Sequence, residues 1–217
     1  MYQGNYRKKQ DCCLICYKSF SENISLSNIF SFNNIICNNC IKKLKVINKK
    51  EVVNGVLVWF LYEYNSFMKT LLYQYKGCYD IVLKDVFLYA FKNKISKKYK
   101  NYTIVFPPSN EEDDKKRGFV HIEKMIECLK IKHLNLFYKV RPYKQSDHKY
   151  NKRYMIKDII KAYDIKVNKN EKILIIDDIF TSGSTLKTII DLLIKKGIKK
   201  ENIKAIIISK TADFVEL

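Results

Sequence analysis

Proline occurs three times in these 217 residues, glycine six times and tryptophan once. Alanine is scarce as well, and Lys, Asn, Ile and Tyr fill the chain instead, as an AT-rich coding sequence would dictate. The formal charge of +19 therefore has two readings. It is either a field that draws nucleic acid, an anionic surface or a phosphorylated ligand, or compositional drift onto solvated faces. No apolar run approaches the ~20 residues that a membrane-spanning helix requires. The longest, such as Val56–Tyr62 and Ile203–Ile208, have the length of strands. Met1–Asp11 is polar with no apolar stretch behind it, so no secretory signal is read and a cytoplasmic location is expected. Internal repeats are also missing. His121, His133 and His148 show neither metal spacing nor a partnered nucleophile, and His121 is expected to be a hydrogen-bonded structural residue on a helix.

What is present suits one ordinary domain with a small appendage, since 47% of the residues are hydrophobic. The appendage is expected over residues 1–51 and the domain over 52–217. Val56–Tyr62 reads as a buried strand, Phe67–Tyr75 as an amphipathic helix, and Ile81–Lys94 as a second helix with apolar residues three and four apart. A strand at Tyr102–Phe106 stops at Pro107 and Pro108, Glu111–Lys116 reads as a charged loop, and a helix follows Gly118 to about Leu129. Val140–Lys152 reads as polar and mobile. Lys172–Ile176 and Ile203–Ser209 are strands, with a helix at Thr185–Lys196 between them. Strands alternating with helices make the expected fold class α/β, a parallel sheet with crossover helices. Trp59, Cys78 and Cys128 are read as core residues.

The segment after the aliphatic run Ile173–Ile176 carries the most chemistry. Asp177 and Asp178 come next, at the strand edge where open α/β sheets bind ligands. Thr181, Ser182, Gly183, Ser184 and Thr185 then lead into a helix. Backbone amides at a helix N-terminus, hydroxyl donors and a glycine that permits close approach all suit a phosphate. The adjacent carboxylates suit a ribose diol, directly or through Mg²⁺. The loop lacks the Gly-Lys-[Ser/Thr] of a Walker A motif. It resembles the signature of type I phosphoribosyltransferases, which implies that the acids hold the ribose diol of phosphoribosyl pyrophosphate and the loop its 5′-phosphate.

Near the other end, Cys13-x-x-Cys16 and Cys37-x-x-Cys40 stand 20 residues apart. Two such knuckles in a reducing compartment point to tetrahedral structural zinc on four thiolates, with Cys12 a possible substitute ligand. A segment with so little core would gain much of its stability from the metal.

A Cys₄ knuckle joined to a phosphoribosyl loop resembles the ComF family of bacterial competence proteins. Phe67–Gly77, Arg117-Gly118-Phe119 after Pro108, and Gln145 with Arg153 extend the likeness over nearly the whole chain. The resemblance implies a type I phosphoribosyltransferase-like sheet, a ligand such as phosphoribosyl pyrophosphate with Mg²⁺, and a role in DNA uptake and transformation. It places Lys116, Arg117, Arg141 and Arg153 as candidate pyrophosphate or lid residues, and the enzyme label would be phosphoribosyltransferase. The chain departs from the pattern in Glu111-Glu112-Asp113-Asp114, which would repel pyrophosphate, and in Val120 and Ile156 where asparagine is expected. A second reading therefore stands: a non-catalytic competence factor that binds single-stranded DNA or docks other competence proteins. Arg141, Lys144, Gln145, Lys149, Lys152 and Arg153, interleaved with Tyr143, Tyr150 and Tyr154, could track a nucleic-acid backbone while stacking bases. They equally suit a substrate lid or a solvated loop.

Overall fold

The two apolar runs foreseen as central strands lie side by side in a computed structural model that describes residues 11–20, 35–140 and 159–211. Helix α1 spans Asn38–Lys43, and strands β1 (Val46–Val53) and β2 (Val56–Glu63) form a hairpin across Asn54–Gly55. Then follow α2 (Ser66–Gly77), α3 (Lys92–Lys98), β3 (Thr103–Val105), α4 (Glu111–Arg117), α5 (His121–Ile126) and β4 (His133–Leu134). A two-stranded ribbon of β5 (Phe137–Lys139) and β6 (Ile160–Ala162) precedes β7 (Ile173–Phe180), α6 (Ser184–Lys195) and β8 (Ile203–Lys210).

The main sheet has the order β1-β2-β8-β7-β3-β4, parallel throughout except for the β1 edge. This is the α/β architecture expected. Strand alternation divides the core cleanly into two faces. Leu174 and Ile176 of β7 and Ile206 and Ile208 of β8 pack with α2, α3 and α5. Ile173 and Ile175, with Ala205 and Ile207, pack against α6. Both faces of β7 and β8 are covered, which is why these strands are apolar without interruption. Cys13, Leu14, Ile36, Cys40 and Leu44 join the α2 face, so the cysteine segment shares its core with the sheet.

Several elements differ from expectation. Ile81–Lys94 is not one helix: a 3-10 turn at Ile81–Asp85 leads through further turns into α3. Val86, Phe87 and Leu88 are all fully buried, and three consecutive residues cannot share one helical face. Glu111–Lys116 is a helix, not a loop. Asn110 caps its N-terminus, four acids fill the first turn, Lys115, Lys116 and Arg117 fill the last, and Gly118 closes it at φ 80°. That arrangement matches the helix macrodipole end to end. Strand β7 runs on through both acids to Phe180, and β1 was not foreseen. Cys78 is exposed and Cys128 only half-buried, so neither is a true core residue; Trp59 is, with its indole N–H donating to Asn48 Oδ1 at 2.9 Å. Of Val140–Lys152, all but Val140 lies outside the described residues.

Candidate functional site

Strand β7 carries its two acids to the C-terminal edge of the sheet and delivers the chain into Thr181–Gly183. Gly183 takes φ 70°, a left-handed conformation that L side chains resist, and is the N-cap of α6. No side chain caps that helix. Ser184 N donates weakly to Ser182 Oγ at 3.4 Å, and the next amides of this 12-residue helix, at Thr185 and Leu186, keep their donor capacity for a ligand. Ser182 and Ser184 hydroxyls lie 2.8 Å apart beside them, and Thr188 Oγ1 donates to Ser184 O at 2.9 Å, fixing the first turn. Thr181 and Ser182 are exposed, while Gly183, Ser184 and Thr185 are half-buried. The loop is thus brought together and open to solvent.

The two acids have different surroundings. Asp178 continues the Leu174–Ile176 face and meets Lys76 at the end of α2, whose ammonium donates to its Oδ2. His121 Nε2, on α5, lies 3.5 Å from the same oxygen. Ser209 Oγ on β8 donates to the Asp178 carbonyl at 2.7 Å, and Tyr75 OH donates to the His121 carbonyl at 2.7 Å. Burial alone would raise Asp178, yet the His121 hydrogen bond and the Lys76 charge outweigh it and hold the carboxyl well below its ordinary range. Asp177 Oδ1 accepts from the Asp178 amide at 2.9 Å, and its carboxyl lies against that of Asp178. Burial, then the Asp178 charge, push it up to about 8.

Burial pushes His121 below the ordinary histidine range, with Lys76 and Arg117 assisting and Asp178 opposing. A neutral ring that donates from Nε2 leaves Nδ1 as an acceptor, and Nδ1 is buried with no hydrogen-bond partner. His121 sits on α5, as expected, and its partner there is the acidic residue Asp178. Lys76 was missed altogether. In a chain with 41 lysines and arginines, one cation at a helix end carries no signal of its own.

Of the weaker candidates, Lys116 is exposed on α4. Arg117 turns inward: its side chain is 7% exposed, it lies 3.6 Å from Asp114 Oδ1 and over the Phe119 ring, and its Nε and Nη1 have no hydrogen-bond partner. Arg141 and Arg153, with the rest of the basic and aromatic run at 141–154, lie outside the described residues.

The cysteine prediction has a direct geometric test. The sulfurs of Cys13, Cys16, Cys37 and Cys40 all lie within 4.8 Å of one another, and Cys16 and Cys37 are 3.8 Å apart. Four thiolates about 2.3 Å from a tetrahedral zinc stand about 3.8 Å from each other, so the donor set fits the ion. Backbone amides of Cys37, Cys16 and Ile15 outweigh burial at Cys13 and lower its thiol to about 7, whereas burial and the neighbouring thiols push Cys40 up. The turn is set by Tyr17 N donating to Cys13 O at 2.8 Å, and α1 begins directly after Cys37. Among the described residues no helix is long and apolar enough to cross a membrane.

Residues 115–213 match the phosphoribosyl transferase domain family. The competence protein ComFC of Bacillus subtilis is 28% identical over 85% of this chain and 89% of its own length. ComFC of Streptococcus pneumoniae is 26% identical, over 86% of this chain and 95% of its own. Among solved structures, adenine phosphoribosyltransferase from Leishmania tarentolae aligns at TM-score 0.40 and 13% identity, over 76% of this chain and 95% of that one. A hypoxanthine phosphoribosyltransferase from Staphylococcus aureus aligns at TM-score 0.37 and 13% identity, over 61% and 68%. The chain is thus similar to the ComFC competence proteins over most of its length, and to the phosphoribosyl transferase domain family over residues 115–213, behind a four-cysteine N-terminal cluster.

Proposed function

We propose that this protein binds phosphoribosyl pyrophosphate, or a related ribose 5-phosphate ligand, at the edge between β7 and α6. The observation that carries the reading is the uncapped N-terminus of α6, entered through Gly183 and flanked by the Ser182 and Ser184 hydroxyls. The 5-phosphate would take the amides and hydroxyls of Thr181, Ser182, Gly183, Ser184 and Thr185. The ribose hydroxyls would donate to Asp177 and Asp178. Zinc on Cys13, Cys16, Cys37 and Cys40 would have no open position, and its part is to brace residues 1–51 against the domain at 52–217.

The ComFC relatives are named competence proteins. By that likeness we assign the chain to DNA uptake and natural transformation in the cytoplasm, with single-stranded DNA and other competence proteins as its candidate partners. The site geometry supports binding more than turnover. Phosphoribosyl transfer needs electrostatic stabilisation of the departing pyrophosphate. Of the basic residues proposed for that task, Arg117 is turned into Asp114 and Phe119. Mg²⁺, which the resemblance implies beside the acids, meets a carboxylate already held by Lys76.

Calorimetric titration of the zinc-loaded chain with ribose 5-phosphate, ribose and inorganic phosphate tests the reading. One site for ribose 5-phosphate is expected, with ribose and phosphate each far weaker. Changing Ser182, Ser184 and Thr185 together to alanine should reduce that affinity by at least about tenfold, since each charge-assisted contact is worth about 1.5–3 kcal/mol. Unchanged affinity in the triple variant would remove the loop from the site.

A further inference from the structure

The divalent cation that the fold family implies at the acid pair does not fit the residues present. Neighbouring positions on a strand face opposite ways, and β7 obeys this up to its acids: Leu174 and Ile176 face α2 and α5, while Ile173 and Ile175 face α6. Asp178 follows the first pair to Lys76 and His121, and its amide donates to Asp177 Oδ1 at 2.9 Å. The two carboxyls lie within reach of each other and share one charge rather than two, since burial and the Asp178 charge raise Asp177 while Asp178 Oδ2 is already engaged by Lys76 beside His121. A small octahedral ion, which needs oxygens about 2.0–2.1 Å from its centre, finds no free pair of carboxylates. A cation is nevertheless at the site already. The Lys76 ammonium bonds Asp178 Oδ2, with the Asp178 side chain 9% exposed and that of Lys76 29% exposed. His121 Nε2 lies 3.5 Å from the same oxygen on the other helix. A buried carboxylate needs such a partner, because an uncompensated charge there is strongly destabilising.

We propose that Lys76 is the resident cation of this site: it neutralises Asp178 in place of a divalent metal, and ribose 5-phosphate binds without Mg²⁺. The proposal rests on the ribose 5-phosphate reading above, and it makes α2 a part of the binding machinery. The ammonium sits on a helix whose N-terminal half packs toward the cysteine segment. Asn65, the N-cap of α2, also donates from its side chain to Lys43 O at 3.0 Å. A ligand at the β7 edge is thereby linked through one rigid helix to the zinc-binding region.

The test uses the full zinc-loaded chain in buffer freed of Mg²⁺ by resin, because a soluble chelator would strip the zinc. Ribose 5-phosphate is titrated with and without excess Mg²⁺ into wild type, Lys76→Met and Lys76→Arg. Wild type and Lys76→Arg should change affinity by less than about twofold on adding Mg²⁺. Lys76→Met should bind at least about tenfold more weakly without metal, through loss of one charged partner, and recover most of this with Mg²⁺. Mg²⁺ should also raise the melting temperature of Lys76→Met alone. Electron paramagnetic resonance of Mn²⁺ supplies an arm that needs no sugar. Lys76→Met should gain a Mn²⁺ site that the wild type lacks and that Lys76→Met with Asp178→Asn loses again. A tenfold Mg²⁺ requirement in the wild type overturns the proposal, as does metal-free wild-type affinity in Lys76→Met. So does a wild-type Mn²⁺ site that depends on Asp178. Failure of ribose 5-phosphate to bind the wild type in either buffer overturns the functional reading instead, and the Mn²⁺ arm still decides the role of Lys76.

Discussion

An alanine at position 183 would have to adopt φ 70°, and its Cβ would lie 2.9 Å from Phe180 Cζ and 3.1 Å from Cε2. The sequence suggests that a side chain here obstructs the phosphate; the structure points it into the Phe180 ring instead. That ring is 2% exposed and packs edge-on to Phe60 with centroids 5.2 Å apart, so it has little room to retreat. The left-handed conformation costs about 1–2 kcal/mol for an L residue. Crowding a packed core adds about 1–3 kcal/mol. Gly183→Ala should therefore destabilise the protein by about 2–5 kcal/mol, mostly through the fold. Phe180→Leu alone should cost about 1–2 kcal/mol by leaving space behind. In the double variant the clash is gone while the backbone strain stays, so the loss should fall short of the sum by about 1 kcal/mol. Urea unfolding of the zinc-loaded chain, compared by midpoint at constant slope, measures all three. A Gly183→Ala protein within about 0.5 kcal/mol of wild type would refute the reasoning. Strict additivity in the double variant would refute the contact with Phe180.

Three further outcomes are expected. Purified reduced protein should carry about one zinc, and Cys16→Ser or Cys37→Ser should lose it and destabilise the N-terminal segment; protein made without chelators that lacks zinc would contradict this. Asp177, raised in the folded state, holds its proton there after the unfolded chain has released its own. Its contribution is fully present below an unfolded value of about 3.9 and is lost as pH rises through about 8. Asp177→Asn should accordingly gain on the wild type between about pH 4 and pH 8, a trend that melts in a pH series would reveal or deny. Asp178 has the opposite sign, so its stabilisation should be present above about pH 3.9 and fade as pH falls below it. Asp178→Asn should therefore lose most stability near neutrality, and a loss of equal size at pH 3 would count against the ion pair.

Local spacing made the cysteine cluster and the β7–α6 loop legible. Two knuckles of fixed span and an aliphatic strand ending in two acids need no tertiary knowledge, and the central strands were legible because burial on both faces leaves them apolar throughout. Helix α4 carried every signal it needed, in Asn110, four leading acids, three trailing bases and Gly118, yet its charge density reads as loop. Strand β1 hid for the opposite reason: as a mostly exposed sheet edge it is polar, with the pattern VINKKEVV. The partners of Asp178 were not legible at all. Lys76 stands 102 positions away from it in sequence, and only the packing of α2 and α5 on one face of β7 brings Lys76 and His121 to the same oxygen.

The most direct measurement is a crystal structure of the zinc-loaded chain soaked with ribose 5-phosphate in Mg²⁺-free buffer. The account predicts the phosphate on the backbone amides and hydroxyls of Thr181–Thr185 and the ribose hydroxyls toward Asp177 and Asp178, with the Lys76 ammonium still on Asp178. A phosphate seated elsewhere, for example in the lysine-lined groove of Lys42, Lys43 and Lys45, would contradict it, as would an intact fold with no ligand at the loop.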